Sequence, residues 1–170
     1  MYKIKVSLGN IDDAIRQIEE YEKKVQQNIK DFLSKLLEAG VDIARAKIME
    51  LGAIDSGELQ NSLAFTLYKE GNKGILFTDC QHACFVEFGT GVKNNGSVGS
   101  SPHPKGGELG MTIGTYGKGY GANPDGWYYY DTEQGRVRFT KGMPSRPFMY
   151  GTAKELERKA VEIAREVFSR

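Results

Sequence analysis

Cys80, His82 and Cys84 are residues whose types and spacing could do chemistry. On a strand, positions i, i+2 and i+4 share a face, so two thiolates and an imidazole could converge on one metal ion. Zinc ordinarily takes a fourth ligand, and its common sites join one close pair to a second, distant pair. Here only His103 is available, so small residues filling a half-buried strand are the simpler reading, and no metal or other cofactor is expected. Glu87 follows three residues later in the stretch His82-Ala-Cys-Phe-Val-Glu-Phe-Gly-Thr-Gly91, which the rest of the chain surrounds. Burying an unpaired polar group costs about 2–7 kcal/mol and a charge more, so the period of two has this carboxylate pointing to water from an alternating strand. Catalysis by Glu87 with His82, His103 or Asp79 would require a pocket and a second tuned group. A Glu87–histidine pair facing inward in a water-excluding cleft is the arrangement that would speak for it. No Gly-x-Ser-x-Gly nucleophile signature occurs. Ser56 and Ser62 sit where capping and helix-end hydrogen bonds already explain them. No catalytic residue is assigned, and the chain reads as a non-enzyme.

Gly114-Thr-Tyr-Gly-Lys-Gly-Tyr-Gly121 has the glycine content of a nucleotide loop. It lacks the Gly-Lys-Ser/Thr ending of a phosphate loop and does not open an apolar helix. Tyr116, Tyr120, Trp127, Tyr128, Tyr129 and Tyr130 could instead stack single-stranded bases. Between residues 89 and 147 there are seven Lys/Arg and four Asp/Glu, a net of +3, which is a mild field for gripping a phosphate backbone. Tyrosines serve protein interfaces equally well, with large contact area at low entropy. That reading is preferred, with a single-stranded nucleic-acid-binding module as the alternative.

Around these residues lies an ordinary amount of core. The chain has 170 residues, 39% apolar and 26% charged, enough for one domain spanning 1–170. A net charge of +1 argues against a DNA-binding protein driven by bulk charge. Cys80 and Cys84 are too close along one element to bridge, so free thiols of a reducing cytoplasm are expected. No apolar run approaches the ~20 residues of a membrane span, and Met1–Val6 lacks the pattern of an export signal.

The elements follow from periodicity. Residues 2–8 alternate as a short strand. Ile11, Ile15, Ile18, Val25, Ile29, Phe32, Leu36 and Ile43 form one stripe on a long helix over 10–50, capped by Asn10 or Asp12 and bent at most at Gly40. Its early part is narrow and flanked by charge, as in a helix exposed around much of its circumference or docked on a neighbouring subunit. Asp55-Ser-Gly-Glu58 predicts a fresh N-cap and a short helix to about Ser62. A sheet over 63–88 begins with a hairpin around Glu70–Gly74; residues 82–88 are too few for periodicity to separate strand from helical turn. A glycine- and tyrosine-rich insertion covers 89–142. Its first half reads as mobile, and Trp127–Tyr130 with Val137–Phe139 predicts a second hairpin after an Asn123-Pro-Asp-Gly126 turn. Pro144 and Pro147 hold an extended segment that displays Arg146 and Phe148, and a C-terminal helix covers 151–169. The class is α+β: a long N-terminal and a C-terminal helix packed on a small antiparallel sheet, with a long insertion.

Asp55-Ser-Gly-Glu-Leu-Gln-Asn-Ser62, Phe85-Val-Glu-Phe-Gly-Thr-Gly91 and Pro144-Ser-Arg-Pro-Phe-Met149 stand in that order before the terminal helix. With the charged N-terminal helix ahead of them, this order resembles the HK-type minor tail-component family of long-tailed bacteriophages across nearly the whole chain. The resemblance implies a virion structural protein of the phage or prophage head–tail joining, neck or tail-completion type, located in the virion and in the host cytoplasm during assembly. It implies a ring, sixfold by analogy with the class, as well as contacts with head-completion or tail-tube and terminator proteins, proximity to phage DNA in the channel, and no membrane. Asp55, Gly57, Leu59, Ser62, Glu87, Gly89, Thr90, Arg146, Pro147 and Phe148 are the positions carried over, as fold-defining residues. Tyr116, Tyr120, Trp127, Tyr128, Tyr129, Tyr130, Arg146 and Phe148 are the expected partner interface. The insertion is longer and richer in tyrosine than the family pattern.

Overall fold

The apolar stripe of the N-terminal region becomes a helix of 40 residues, α1 (Ile11–Glu50), with Asp12 and Asp13 in its first turn and Lys47 in its last. Those charges oppose the helix dipole at each end. The computed structural model describes residues 11–54, 56–91, 100–115, 126–132 and 134–169. The expected strand at 2–8, the Asn10 cap, Asp55, Tyr116, Tyr120 and the 123–125 part of the expected turn lie outside them. After α1 come α2 (Glu58–Asn61), β1 (Leu63–Tyr68), β2 (Lys73–Thr78), α3 (Ala83–Phe88), β3 (Trp127–Asp131), β4 (Arg136–Thr140) and α4 (Phe148–Phe168). The class is α+β, with two separate two-stranded sheets, β1–β2 and β3–β4.

Residues gather into two compact units. One contains 1–42, 64–77 and 155–170, and the other 43–63 and 78–154. In the first, α1, the β1–β2 hairpin and the later turns of α4 share a core. Helix α1 continues through Gly40, whose missing side chain has a packing reason: a Cβ there would stand 3.0 Å from Leu156 Cδ1 and 3.3 Å from Leu76 Cδ2. At Gly74 a Cβ would come within 2.3 Å of Leu37 Cδ1. The β1–β2 turn is made by Lys69, Glu70 and Gly71, all with positive φ. Its Gly71 lies against the stem of Lys30. Phe32 and Phe168 close the other end with ring centroids 6.2 Å apart, and Lys35 pairs with Glu166.

In the second unit, α2 begins at Gly57 in the left-handed region (φ 82°) with no side chain capping it in the expected way. Ser56 Oγ instead accepts the Glu58 N–H at 3.3 Å. Ser62 closes the helix, donating to Leu59 O and sharing a 2.6 Å hydrogen bond with Thr78 Oγ1. Residues 83–88 are helical and do not continue the sheet, and residues 100–115 are folded, with Ile113 and His103 buried. The first half of the insertion is therefore not a mobile tract over 100–115. Gly106 N–H bonds His103 O, Met111 N–H bonds Gly106 O, and Ile113 N–H bonds Ser100 O. The second hairpin has the register Tyr128↔Phe139, Tyr129↔Arg138 and Tyr130↔Val137.

Gly40→Leu should lower unfolding free energy by about 1–3 kcal/mol through overpacking against Leu156 and Leu76. Gly52→Ala meets nothing within 4 Å and carries only the left-handed backbone cost of about 1 kcal/mol. Urea unfolding of the two variants gives the comparison.

Candidate functional site

Helix α3 is short, but its burial follows helical spacing. Ala83, Val86 and Glu87 are buried, at i, i+3 and i+4. This overturns the expectation that Glu87 points to water: a period of 3.6 puts its carboxylate on the same inward face as Val86, where a period of two would have turned it away. Gly89 ends the helix, with its N–H on Phe85 O and φ of 77°.

The buried carboxylate meets the start of α4. Met149 N–H donates to Glu87 Oε2 at 2.9 Å and Tyr150 N–H donates to Oε1 at 3.0 Å. A helix leaves its first N–H groups without partners and carries partial positive charge at that end, so an anion there is stabilising. The remaining donors of that turn are also placed, Phe148 N–H on Arg146 O and Gly151 N–H on Pro147 O. Helix α4 therefore starts three residues earlier than periodicity predicts, directly after Pro147. Phe148 lies inside it at 0% exposure, and Thr152 is buried one turn on with its Oγ1 on Phe148 O. The expected display of Phe148 to a partner is corrected: the ring is core.

His103 completes the cluster. Its Nε2 lies 2.9 Å from Glu87 Oε1, and its Nδ1 accepts the Lys105 N–H at 3.0 Å. An accepting Nδ1 places the ring proton on Nε2, aimed at the carboxylate. Glu87 is 7% and His103 4% exposed. The imidazole is held between Phe88, at a centroid distance of 4.5 Å, and the edge of Tyr150 at 5.6 Å. An open, mostly apolar hollow of about 360 Å³ adjoins the pair, lined in part by Ala83, Cys84, Phe88, Leu109 and Met149.

The remaining motif residues zip the same two segments together. Thr90 N–H bonds Met143 O, Met143 N–H bonds Thr90 Oγ1, Arg146 N–H bonds Val86 O, and Ser145 Oγ donates to Glu87 O. The backbones lie too close for side chains: a Cβ at Gly89 would come 2.7 Å from Ser145 N, and one at Gly142 (φ 92°) would come 1.9 Å from Thr90 O. Arg146 lines a separate cleft of about 390 Å³ with Ile48, Leu59, Val86 and Met143. Asp79 and His82 do not join Glu87. Cys80 is buried and Cys84 exposed, both as free thiols. The helical turn breaks the common face that metal binding required, and among the described residues no group of metal-ligating side chains gathers. Sequence reasoning missed Ser145, Met143 and the role of His103. The hydroxyl inside Pro-Ser-Arg-Pro was a signal for the first, but nothing local pointed to the third.

A family model described as "Bacteriophage HK97-gp10, putative tail-component" (HK97-gp10_like) matches residues 12–89. The match covers 78 of the 170 residues, and over that span the chain is similar to the HK97-gp10-like family. The span runs from the first turn of α1 to the Gly89 cap and so holds Glu87, while the partners of its carboxylate at His103 and 149–150 lie beyond it. No curated protein and no solved structure matches the chain. The family supports a phage tail-component role and a place in the virion. No helix among the described residues is long and apolar enough to cross a membrane.

Glu87→Gln turns a carboxamide NH₂ toward groups that are themselves donors. It should cost about 2–4 kcal/mol, since charge-assisted bonds are lost and a buried donor is left unpaired. Glu108→Gln, in an exposed pair with Lys105, should change stability by less than about 0.5 kcal/mol. Gly142→Ala should cost about 1–3 kcal/mol or more from backbone strain and collision with Thr90. Denaturant melts report all three.

Proposed function

We propose that this chain is a phage or prophage virion structural protein of the head–tail connector or tail-completion type. It works by forming a ring, sixfold by analogy with its class, and by docking on neighbouring head-completion, tail-tube or terminator proteins, near the DNA channel, with no bond made or broken. The observation that carries the reading is how the polar groups are used. The Glu87–His103 pair, the one arrangement that would have spoken for chemistry, is committed to holding α4, loop and α3 together, with each carboxylate oxygen and each ring nitrogen facing a partner. A general base keeps a lone pair directed at substrate; this one is directed at backbone. The surfaces left open are apolar and aromatic instead, with Tyr128, Tyr129, Tyr130, Val137 and Phe139 all exposed on β3–β4. Trp127, half-buried at the hairpin's base, and Arg146 in its cleft extend the surface offered to partners.

The single-stranded nucleic-acid alternative draws on the same tyrosines. Against it, Arg138 bonds Asp131 and Arg136 bonds Gln134, so both guanidiniums are already engaged within the hairpin. The Asp131 hydrogen bond also raises the Arg138 pKa above its ordinary value.

Mixing the protein with head-completion and tail-tube proteins from the same phage should give ring-shaped complexes by electron microscopy and sedimentation. Oligonucleotides should show no salt-sensitive binding at micromolar concentration. A chain that stays single in every such mixture overturns the joining role; tight oligonucleotide binding that Tyr128→Ala abolishes would transfer the reading to nucleic acid.

A further inference from the structure

The cleft that Arg146 lines is separate from the hollow beside Glu87 and has a different character. It holds about 390 Å³, near the lower end of the range of about 300–1,000 Å³ for ligand pockets. Its floor is apolar, with Ile48, Leu59, Cys80 and Val86 all buried. Met143 forms part of the wall, and its unbranched thioether adapts to irregular shapes. Ile54, Glu58 and His82 line the cleft from exposed positions, and Arg146 from a half-buried one.

Arg146 is the group that the fold leaves unused. Its backbone is fixed on both sides, the N–H on Val86 O and the C=O under the Phe148 N–H, each at 2.8 Å. Pro144 and Pro147 flank it and restrict the segment further. Its side chain, however, makes no hydrogen bond or ion pair among the described residues. Glu58 lines the same cleft without pairing with it. No buried side-chain nitrogen among the described residues lacks a partner, so these unpaired nitrogens stand at accessible surface. A cation already held in place and partly removed from water gains from an incoming anion, because little ordering is left to do.

We infer that this cleft receives an extended peptide segment of a neighbouring virion protein, with an apolar side chain on the floor and an adjacent Asp or Glu carboxylate on Arg146. A guanidinium fork matches a carboxylate with two parallel N–H···O bonds. Glu58 selects among anions. A phosphate chain brings more negative charge than one arginine balances, and no N–H donor for Glu58. A peptide brings a single carboxylate together with backbone N–H groups that Glu58 can accept. The buried floor supplies the apolar half of the contact, which a free inorganic anion would leave unused. This inference rests on the assembly reading above and gives the chemistry of the segment that docks.

The test titrates the full-length chain with capped peptides and follows methyl and amide chemical shifts. The probe is acetyl-Gly-Leu-Glu-Gly-amide, and acetyl-Gly-Leu-Gln-Gly-amide is its uncharged match. The acidic peptide should shift Ile54, Leu59 and Met143 and bind about 10-fold tighter than its match, the order of a charge-assisted bond. Arg146→Gln should abolish that difference and leave the melt unchanged, because only the Arg146 backbone bonds within the fold. Ile54→Asp, at an exposed position of the cleft, should weaken the acidic peptide without touching Arg146. Equal binding of the two peptides, a difference that survives Arg146→Gln, or no shift at millimolar peptide overturns the inference. Shifts that gather on β3–β4 and spare the cleft overturn it too. Rings that form undiminished from Arg146→Gln chains with head-completion and tail-tube proteins also sink it, and leave the assembly reading standing. That reading falls separately, when the unmodified chain stays single in every such mixture.

Discussion

The structure of the second unit depends on one buried carboxylate set at the positive end of a helix. Glu87 gives α4 two of the acceptors that its first turn lacks and takes the His103 proton on the same side. The residues it joins are 16, 62 and 63 positions apart, so helix α3, the folded loop 100–115 and the start of α4 are fixed relative to one another by a single functional group. In low dielectric such bonds are strong if every valence is met and costly if one is left open. Among the described residues no buried side-chain nitrogen or oxygen is left without a partner. The glycines at 89 and 142 follow from this arrangement: for the carboxylate to reach the helix, the segments on either side must run in backbone contact, where no Cβ fits.

An acid beside a histidine is also how many enzymes begin, and composition cannot separate the two cases. Donor and acceptor accounting shows where the atoms of this pair are committed. A pair that works on substrate keeps one partner free and uses the surroundings to orient the other. Here the imidazole is fixed from both nitrogens, and the carboxylate is fixed by backbone groups that cannot move without unwinding the helix. These atoms hold α3, the loop and α4 in position. The open hollow beside them has mostly apolar walls.

The first unit shows a different division. Its helices and hairpin bury the α1 stripe around Leu37 and Val41 through close approaches at Gly40 and Gly74. At the start of the helix Ala14 is buried while Ile11, Ile15 and Ile18 are about half exposed. The tail-component family match covers this helix and ends at the Gly89 cap.

Much of the scaffold was legible from local pattern. The long helix, both hairpins and the terminal helix follow from apolar periodicity and turn residues, which act over a few positions and need no distant partner. The ordered motifs also identified Glu87, Gly89, Thr90 and the Pro-Ser-Arg-Pro-Phe segment as belonging together. What they did there was decided only in three dimensions. Whether residues 82–88 were strand or helix, and hence whether Glu87 faced water or core, turned on hydrogen-bond donors some sixty residues later. Whether Phe148 was displayed or buried turned on where α4 found an acceptor for its first N–H groups. Periodicity reports which side of an element is apolar, but a buried charge is stable only where a distant backbone supplies its partners, and no local window contains that distance.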